Sequence, residues 1–203
     1  MGNEVKCLAR IDGKKEEGKA LLETAELIFR GAASPVRIAF GEIESVAALG
    51  GELRIATKGR EFAFAVGPAA EKWREKILHP KTRMDKLGVK AATRVETMGD
   101  REESFAKELE ERGANLADGK ADRKAELIFW FVNEKSALLS APAVARKIRG
   151  AAGLWIVYPK GRKEITESDV LGAGRKAGLK DVKVVRFSPT HTALKFVIPA
   201  EKR

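Results

Sequence analysis

Chemistry needs few residue types, and this chain of 203 residues is sparing with them. It has two histidines, His79 and His191, and one cysteine, Cys7. A His/Cys metal centre is thereby excluded, as is an internal disulfide. The lone Cys7 falls in an alternating apolar segment and reads as a small core residue, which fits a reducing, cytoplasmic setting. No nucleophile elbow, Walker A loop or dinucleotide fingerprint occurs. What remains is a set of polar residues at the ends of apolar segments. Asn133 and Glu134 follow one run, Lys160, Arg162 and Lys163 follow another, and Thr190 with His191 occupies the short link between the last two. Lysine and arginine there could hold a carboxylate or phosphate, and histidine could move a proton. The same residues also read as a solvated basic turn and a capped loop histidine. They make no complete catalytic set, so no catalytic residue, cofactor or metal is expected, and the chain reads as non-enzymatic.

The net charge is +10, unevenly spread. Residues 1–83 hold 15 Lys/Arg against 12 Asp/Glu, and residues 84–203 hold 24 against 17. The excess favours an anionic ligand or partner for the second half. Nucleic acid stays open, although no aromatic-rich basic strand or recognition motif supports it. Arg146, Lys147 and Arg149 sit at the end of a helical stretch, where they suit its dipole. No apolar run approaches the ~20 residues that span a bilayer. The N-terminus lacks a signal-type apolar region, and Lys6 stands where myristoylation prefers Ser or Thr.

The elements that must position these residues differ between the two ends of the chain. Residues 7–66 read as seven short strands with clean alternation. Val36, Ile38 and Phe40 point one way, and Phe62, Phe64 and Val66 answer Leu53 and Ile55 across the Lys58-Gly59 turn. A helix from Pro68 to Leu78 follows, with Ala69, Ala70, Trp73 and Ile77 as its apolar stripe. From residue 87 strands alternate with helices, the sign of a parallel sheet with crossovers. Leu127–Val132 and Leu154–Tyr158 are apolar throughout, as strands covered on both faces must be. The link Ser188-Pro-Thr-His191 is so short that the last two strands must pair antiparallel. Thr166-Glu-Ser-Asp169 has capping-box spacing and starts a helix. The expected organisation is a domain over 1–79, a linker over 80–86 and an α/β domain over 87–203.

Two resemblances add to this. Seven strands and a tryptophan-bearing helix, with the stretch Arg37-Ile-Ala-Phe-Gly-Glu-Ile-Glu-Ser-Val46, resemble the pleckstrin-homology/GRAM group. That implies a β-barrel capped by its helix, most often used for protein contacts. Lys14 and Lys15 stand where lipid-binding members are basic, but Glu16 and Glu17 cancel them. The second half, through Lys86 to Val95, Gly153-Leu-Trp-Ile-Val-Tyr-Pro-Lys160, Gly178 to Val185 and Thr192-Ala-Leu-Lys-Phe196, resembles a bacterial family known only as a domain of unknown function. Its strand order looks like that of S-adenosylmethionine-dependent methyltransferases, which implies a small three-layer Rossmann-like domain whose last strand is antiparallel. The resemblance would make the Gly99 turn the cofactor loop and Asp118 the acid on the ribose. That turn, Glu96-Thr-Met-Gly-Asp-Arg-Glu-Glu103, keeps a single glycine and crowds it with charge, against the need for close backbone approach.

The reading that follows is a non-catalytic binding or scaffold protein, with a protein partner on its barrel and a basic ligand face on its α/β domain. The alternatives are a divergent adenosylmethionine-dependent methyltransferase and an electrostatic nucleic-acid binder.

Overall fold

Alternation in the first third of the chain becomes one antiparallel sheet. The structure is a computed structural model that describes residues 3–33, 35–117 and 124–203. Its first strands are β1 (Asn3–Ile11), β2 (Lys14–Leu22), β3 (Glu26–Gly31), β4 (Pro35–Ala39), β5 (Ile43–Leu49), β6 (Glu52–Thr57) and β7 (Arg60–Phe64). They lie in the order β4-β3-β2-β1-β7-β6-β5. In β6, Leu53 and Ile55 are buried and Arg54 between them is exposed. Leu53 pairs with Phe64 and Ile55 with Phe62, so one face of the hairpin is apolar. Helix α1 (Ala69–Leu78) turns Ala70, Trp73 and Ile77 onto that face. Trp73 is among the largest fully buried side chains of the chain.

This corrects the expected pleckstrin-homology-type barrel joined to a three-layer Rossmann domain. Among the described residues no bridge joins β4 to β5, the two edges of the sheet. The first unit is a curled antiparallel sheet, and the second is a mixed sheet with few helices. Closure needs strand tilt and stagger to bring the two edges together. Here the 3-10 turn Phe40–Glu42 carries the chain between the edge strands without pairing them.

The chain divides into two units at Lys81/Thr82. Most of the segment expected to be a linker is folded. Thr82 and Asp85 form a reciprocal capping box for α2 (Arg83–Leu87), and Gly88 ends the helix in the left-handed conformation. Met84 and Leu87 are buried because a capped turn holds both on one side. After α2 come β8 (Arg94–Met98), α3 (Glu103–Glu111), the two-residue β9 (Asn115–Leu116), β10 (Leu127–Phe131) and α4 (Ala141–Ala145). The chain then runs through β11 (Gly153–Pro159), α5 (Glu167–Lys176), β12 (Lys180–Arg186) and β13 (His191–Val197). Helix α4 is short and follows directly on a 3-10 turn over Lys135–Ser140.

These six strands lie in the order β12-β13-β11-β10-β8-β9. Strands β9, β8, β10 and β11 are parallel, and β13 runs antiparallel between β11 and β12. Every residue of β10 and β11 is buried. Alternate residues serve two cores. Ile128, Leu154 and Ile156 face one that includes Val144 and Val170, and Phe129, Trp155 and Val157 face another with Leu87, Phe105 and Leu109. The indole N–H of Trp155 donates to the Leu87 carbonyl at 3.1 Å, so the strand also fixes the end of α2.

Candidate functional site at the carboxyl edge of the mixed sheet

Parallel strands β8, β10 and β11 end on one edge, where open α/β sheets take their ligands. Strand β13 starts from that same edge: its first residue, His191, pairs with Pro159, the last of β11. The Lys160 amide donates to the Thr190 carbonyl at 2.9 Å. The antiparallel insertion therefore brings Lys160, Thr190 and His191 side by side in the backbone. Asn133 and Glu134 follow β10 and are exposed, with the Ser136 hydroxyl donating to Glu134 at 3.2 Å. Arg162 and Lys163 are exposed on the turn after β11, and no described contact ties them to His191.

The centre of the site is a group that sequence reasoning missed. Glu102, the residue before α3, places Oε1 3.1 Å from His191 Nδ1. The Ser188 hydroxyl donates to the same oxygen at 2.6 Å, and Arg83 donates to Oε2 at 2.9 Å. Thr190 Oγ1 also lies 2.9 Å from His191 Nδ1. Arg83 divides its guanidinium between Glu102 and a two-pronged bond to Glu108, at 2.8 and 3.0 Å. Its cation sits 4.7 Å from the Phe187 ring centroid and 5.4 Å from that of Phe105. Burial works to raise the Glu102 pKa, but hydrogen bonds from Ser188 and Arg83, with the Arg83 charge, outweigh it and hold the carboxyl below its ordinary value.

The arrangement leaves His191 with one ring nitrogen engaged and one open. Nδ1 faces a carboxylate, and among the described residues no partner meets Nε2. A carboxylate on one nitrogen fixes the orientation of the ring. Ser188 does not complete a nucleophilic set, because its hydroxyl is spent on Glu102.

On the opposite face of the sheet, burial and then the nearby Glu167 push the Tyr158 phenol above its ordinary pKa. The capping box at Thr166 forms as expected, and Lys135 together with Thr166 lowers the Asp169 carboxyl to about 2. Lys147 does more than suit a helix dipole, since its ammonium reaches the buried Glu96 at 2.5 Å.

An adenosyl cofactor would need room at the turn after β8. Gly99 is left-handed there, with φ +80°, but the space its missing side chain leaves is taken by the protein itself. A Cβ would stand 2.4 Å from the Phe131 carbonyl oxygen. The glycine serves the approach of the turn to β10 and not the approach of a ligand. Glu102, in the same turn, is committed to Arg83, Ser188 and His191. Asp118 lies outside the described residues. The residues present do not fit the cofactor.

No family model and no curated protein matches the chain. Among solved structures it is similar to a TehB-like SAM-dependent methyltransferase from Corynebacterium glutamicum, at 12% identity and a TM-score of 0.41, over 64% of this chain and 96% of that one. Human N-acetylserotonin methyltransferase in complex with SAM matches at 10% identity and a TM-score of 0.41, over 52% of this chain and 47% of that one. The C-terminal domain of an unknown protein from Leishmania infantum matches at 15% identity and a TM-score of 0.32, over 37% of this chain and 80% of that one. The neighbours have methyltransferase-like Rossmann folds, and no comparison supports a pleckstrin-homology or GRAM assignment. At such scores nothing of those proteins' chemistry passes to this chain. Among the described residues no helix is long and apolar enough to cross a membrane.

Proposed function

We propose that the α/β unit is a non-catalytic binding module for a small oxyanion, with His191 and Lys160 at the centre of its ligand face. One observation carries this reading. His191 is held at Nδ1 by Glu102, keeps Nε2 open, and stands beside the exposed Lys160 on the edge where the strands end. A protonated His191 and the Lys160 ammonium would each offer a charge-assisted hydrogen bond to a phosphate or carboxylate. Arg162 and Lys163 add positive charge to the neighbouring turn. The antiparallel unit, whose edge strands β4 and β5 present unpaired backbone groups, would contact a protein partner.

A second reading is favoured by the strand order. An antiparallel β13 between β11 and β12 is what the methyltransferase resemblance implies. That reading is adenosylmethionine-dependent methyl transfer, and it must overcome the packed Gly99 turn.

Thermal unfolding separates the two. A ligand at about a hundred times its dissociation constant adds ~2.7 kcal/mol, which is several degrees for units of this size. Inorganic phosphate is expected to raise the midpoint of the wild type by more than that of His191→Ala or Lys160→Met. A rise with S-adenosylmethionine or its demethylated product would overturn the binding-module reading in favour of methyl transfer. No rise with any of the three would sink both.

A further inference from the structure

The mixed sheet has a second open edge, at the amino ends of its parallel strands. A cavity of about 610 Å³ opens there, bounded in part by Gly88, Lys90, Leu127, Arg149 and Ala152. That volume is within the range of small-molecule sites, roughly 300–1,000 Å³. Its walls combine apolar side chains from Ala125, Leu127 and Ala152 with the cations Lys90 and Arg149. The acid on the wall, Glu126, accepts the Arg94 backbone N–H at 3.2 Å.

Lys195, on β13, is outside the lining of this cavity but lies next to one of its wall residues, Leu127. Its stem lies in the notch left by Gly153, where a Cβ would stand 2.6 Å from Lys195 Cε and 3.4 Å from the Leu127 side chain that lines the cavity. The ammonium is 5.7 Å from the Trp155 ring centroid. Lys183 is its cross-strand partner and donates to the Lys86 carbonyl at 2.6 Å. Among the described residues no carboxylate comes within ion-pair distance of Lys90, Lys183 or Lys195. Two neighbouring ammonium groups, one of them half-buried on an indole, thus have no counter-charge among the described residues. Burial, and after it the charge of Lys183, holds the Lys195 pKa below its ordinary value. An anion placed beside them would relieve both effects.

We propose that this amino-edge cavity is a binding site for a small organic oxyanion, its charged end held by Lys90 and Lys195 and its apolar body resting on Ala125, Leu127 and Ala152. The site is separate from the carboxyl edge, since none of the cavity's lining residues comes from that edge and Lys195 pairs with Trp155 while His191 pairs with Pro159.

Phenyl phosphate is a suitable probe, because it joins an oxyanion to an apolar ring. Calorimetric titration of the full chain is expected to show saturable binding in which one equivalent belongs to this site and survives Lys160→Met. Lys195→Met and Lys90→Met should each weaken it about tenfold or more, as loss of a charged hydrogen bond does. Lys160→Met should weaken only the binding that belongs to the carboxyl edge, and Lys72→Met, exposed on α1, should change neither. Ala152→Phe, which fills the cavity without touching a charge, should weaken phenyl phosphate more than inorganic phosphate. The unfolding midpoint of each variant identifies any that fails to fold, and Lys90→Met, at an exposed position, keeps the test alive if Lys195→Met does fail. Absence of saturable binding by the wild type would overturn the proposal. So would full affinity in folded Lys90→Met and Lys195→Met, or loss of all binding in Lys160→Met.

Discussion

The two sheets bury themselves in different ways, and the difference shows in adjacent residues. In β6 of the antiparallel sheet, Ile55 is 2% exposed while its neighbour Arg54 faces water. In β11 of the mixed sheet, Trp155 and Ile156 are neighbours and both are 0% exposed. One belongs to the core with Phe105 and Leu109, the other to the core with Val144 and Val170. A sheet with one wet face can be read from its alternation, whereas one covered on both faces shows only a run of apolar residues. The second kind carries more of the fold per residue and tolerates less.

The largest effects should therefore fall on consecutive residues of β11. Trp155→Ala is expected to cost about 3–5 kcal/mol and Ile156→Ala about 2–5 kcal/mol in urea unfolding. Trp155 loses in addition its bond to the Leu87 carbonyl. In β6 only Ile55→Ala should approach such values. If either β11 substitution proves mild, one face of the mixed sheet is less covered than its burial shows, and the comparison fails.

Glycine gives the next contrast, at two positions of nearly equal backbone. Gly59 in the β6–β7 turn has φ +76° and nothing within 4 Å of a Cβ, and Gly99 has φ +80° and the Phe131 carbonyl at 2.4 Å. Gly59→Ala should cost about 1 kcal/mol, the strain of the left-handed conformation alone. Gly99→Ala should cost about 2–3 kcal/mol, because the mixed sheet has no slack between the β8 turn and β10. Chemical denaturation of the two variants measures the difference directly. Equal losses would mean that the turn can yield, and would reopen it to a cofactor.

Much of this was legible before the structure. The apolar runs marked β10 and β11, and the four-residue link Ser188–His191 required the antiparallel pairing of β12 with β13; the pairing of β13 with β11, which brings His191 to Lys160, was implied only by the methyltransferase resemblance. The Thr82–Asp85 spacing before Gly88 also carried a helix signal, which the basic, polar character of the segment obscured. The Glu102 cluster was not legible. Its members run from Arg83 to His191 along the sequence, and the packing of α3 over Phe187 helps bring them together. That the first sheet stays open between β4 and β5 was equally hidden, since closure depends on register accumulated over seven strands and not on the pattern within any one.

That cluster supplies a smaller, pH-dependent effect. The Glu102 pKa is depressed in the folded state, so its contribution is present above the ordinary carboxylate range and is lost as pH falls through the folded value. Glu102→Gln should cost about 1–2 kcal/mol at pH 7. The gap between variant and wild type should narrow on acidification, because the wild type then loses the same charge. Thermal midpoints between pH 7 and pH 3 test the sign. A gap that widens toward acid would show that Glu102 is not held as a carboxylate by Arg83 and Ser188.

The smallest effect belongs to the wet face of the antiparallel sheet, and it completes the comparison. Arg10 and Arg54 flank Glu52 at 2.8 and 2.7 Å, a three-membered ion cluster across β1 and β6. Both arginine side chains are at least half exposed. Exposed pairs contribute little, because water screens them and two long side chains must be held in place. Arg54→Ala should change unfolding free energy by less than about 0.5 kcal/mol, and 0.5 M salt should erase the change. A loss several times larger and insensitive to salt would mean that this face is covered in solution. The alternation in β6 would then mark a surface shielded by a partner, and the antiparallel sheet would join the mixed sheet in having no free side.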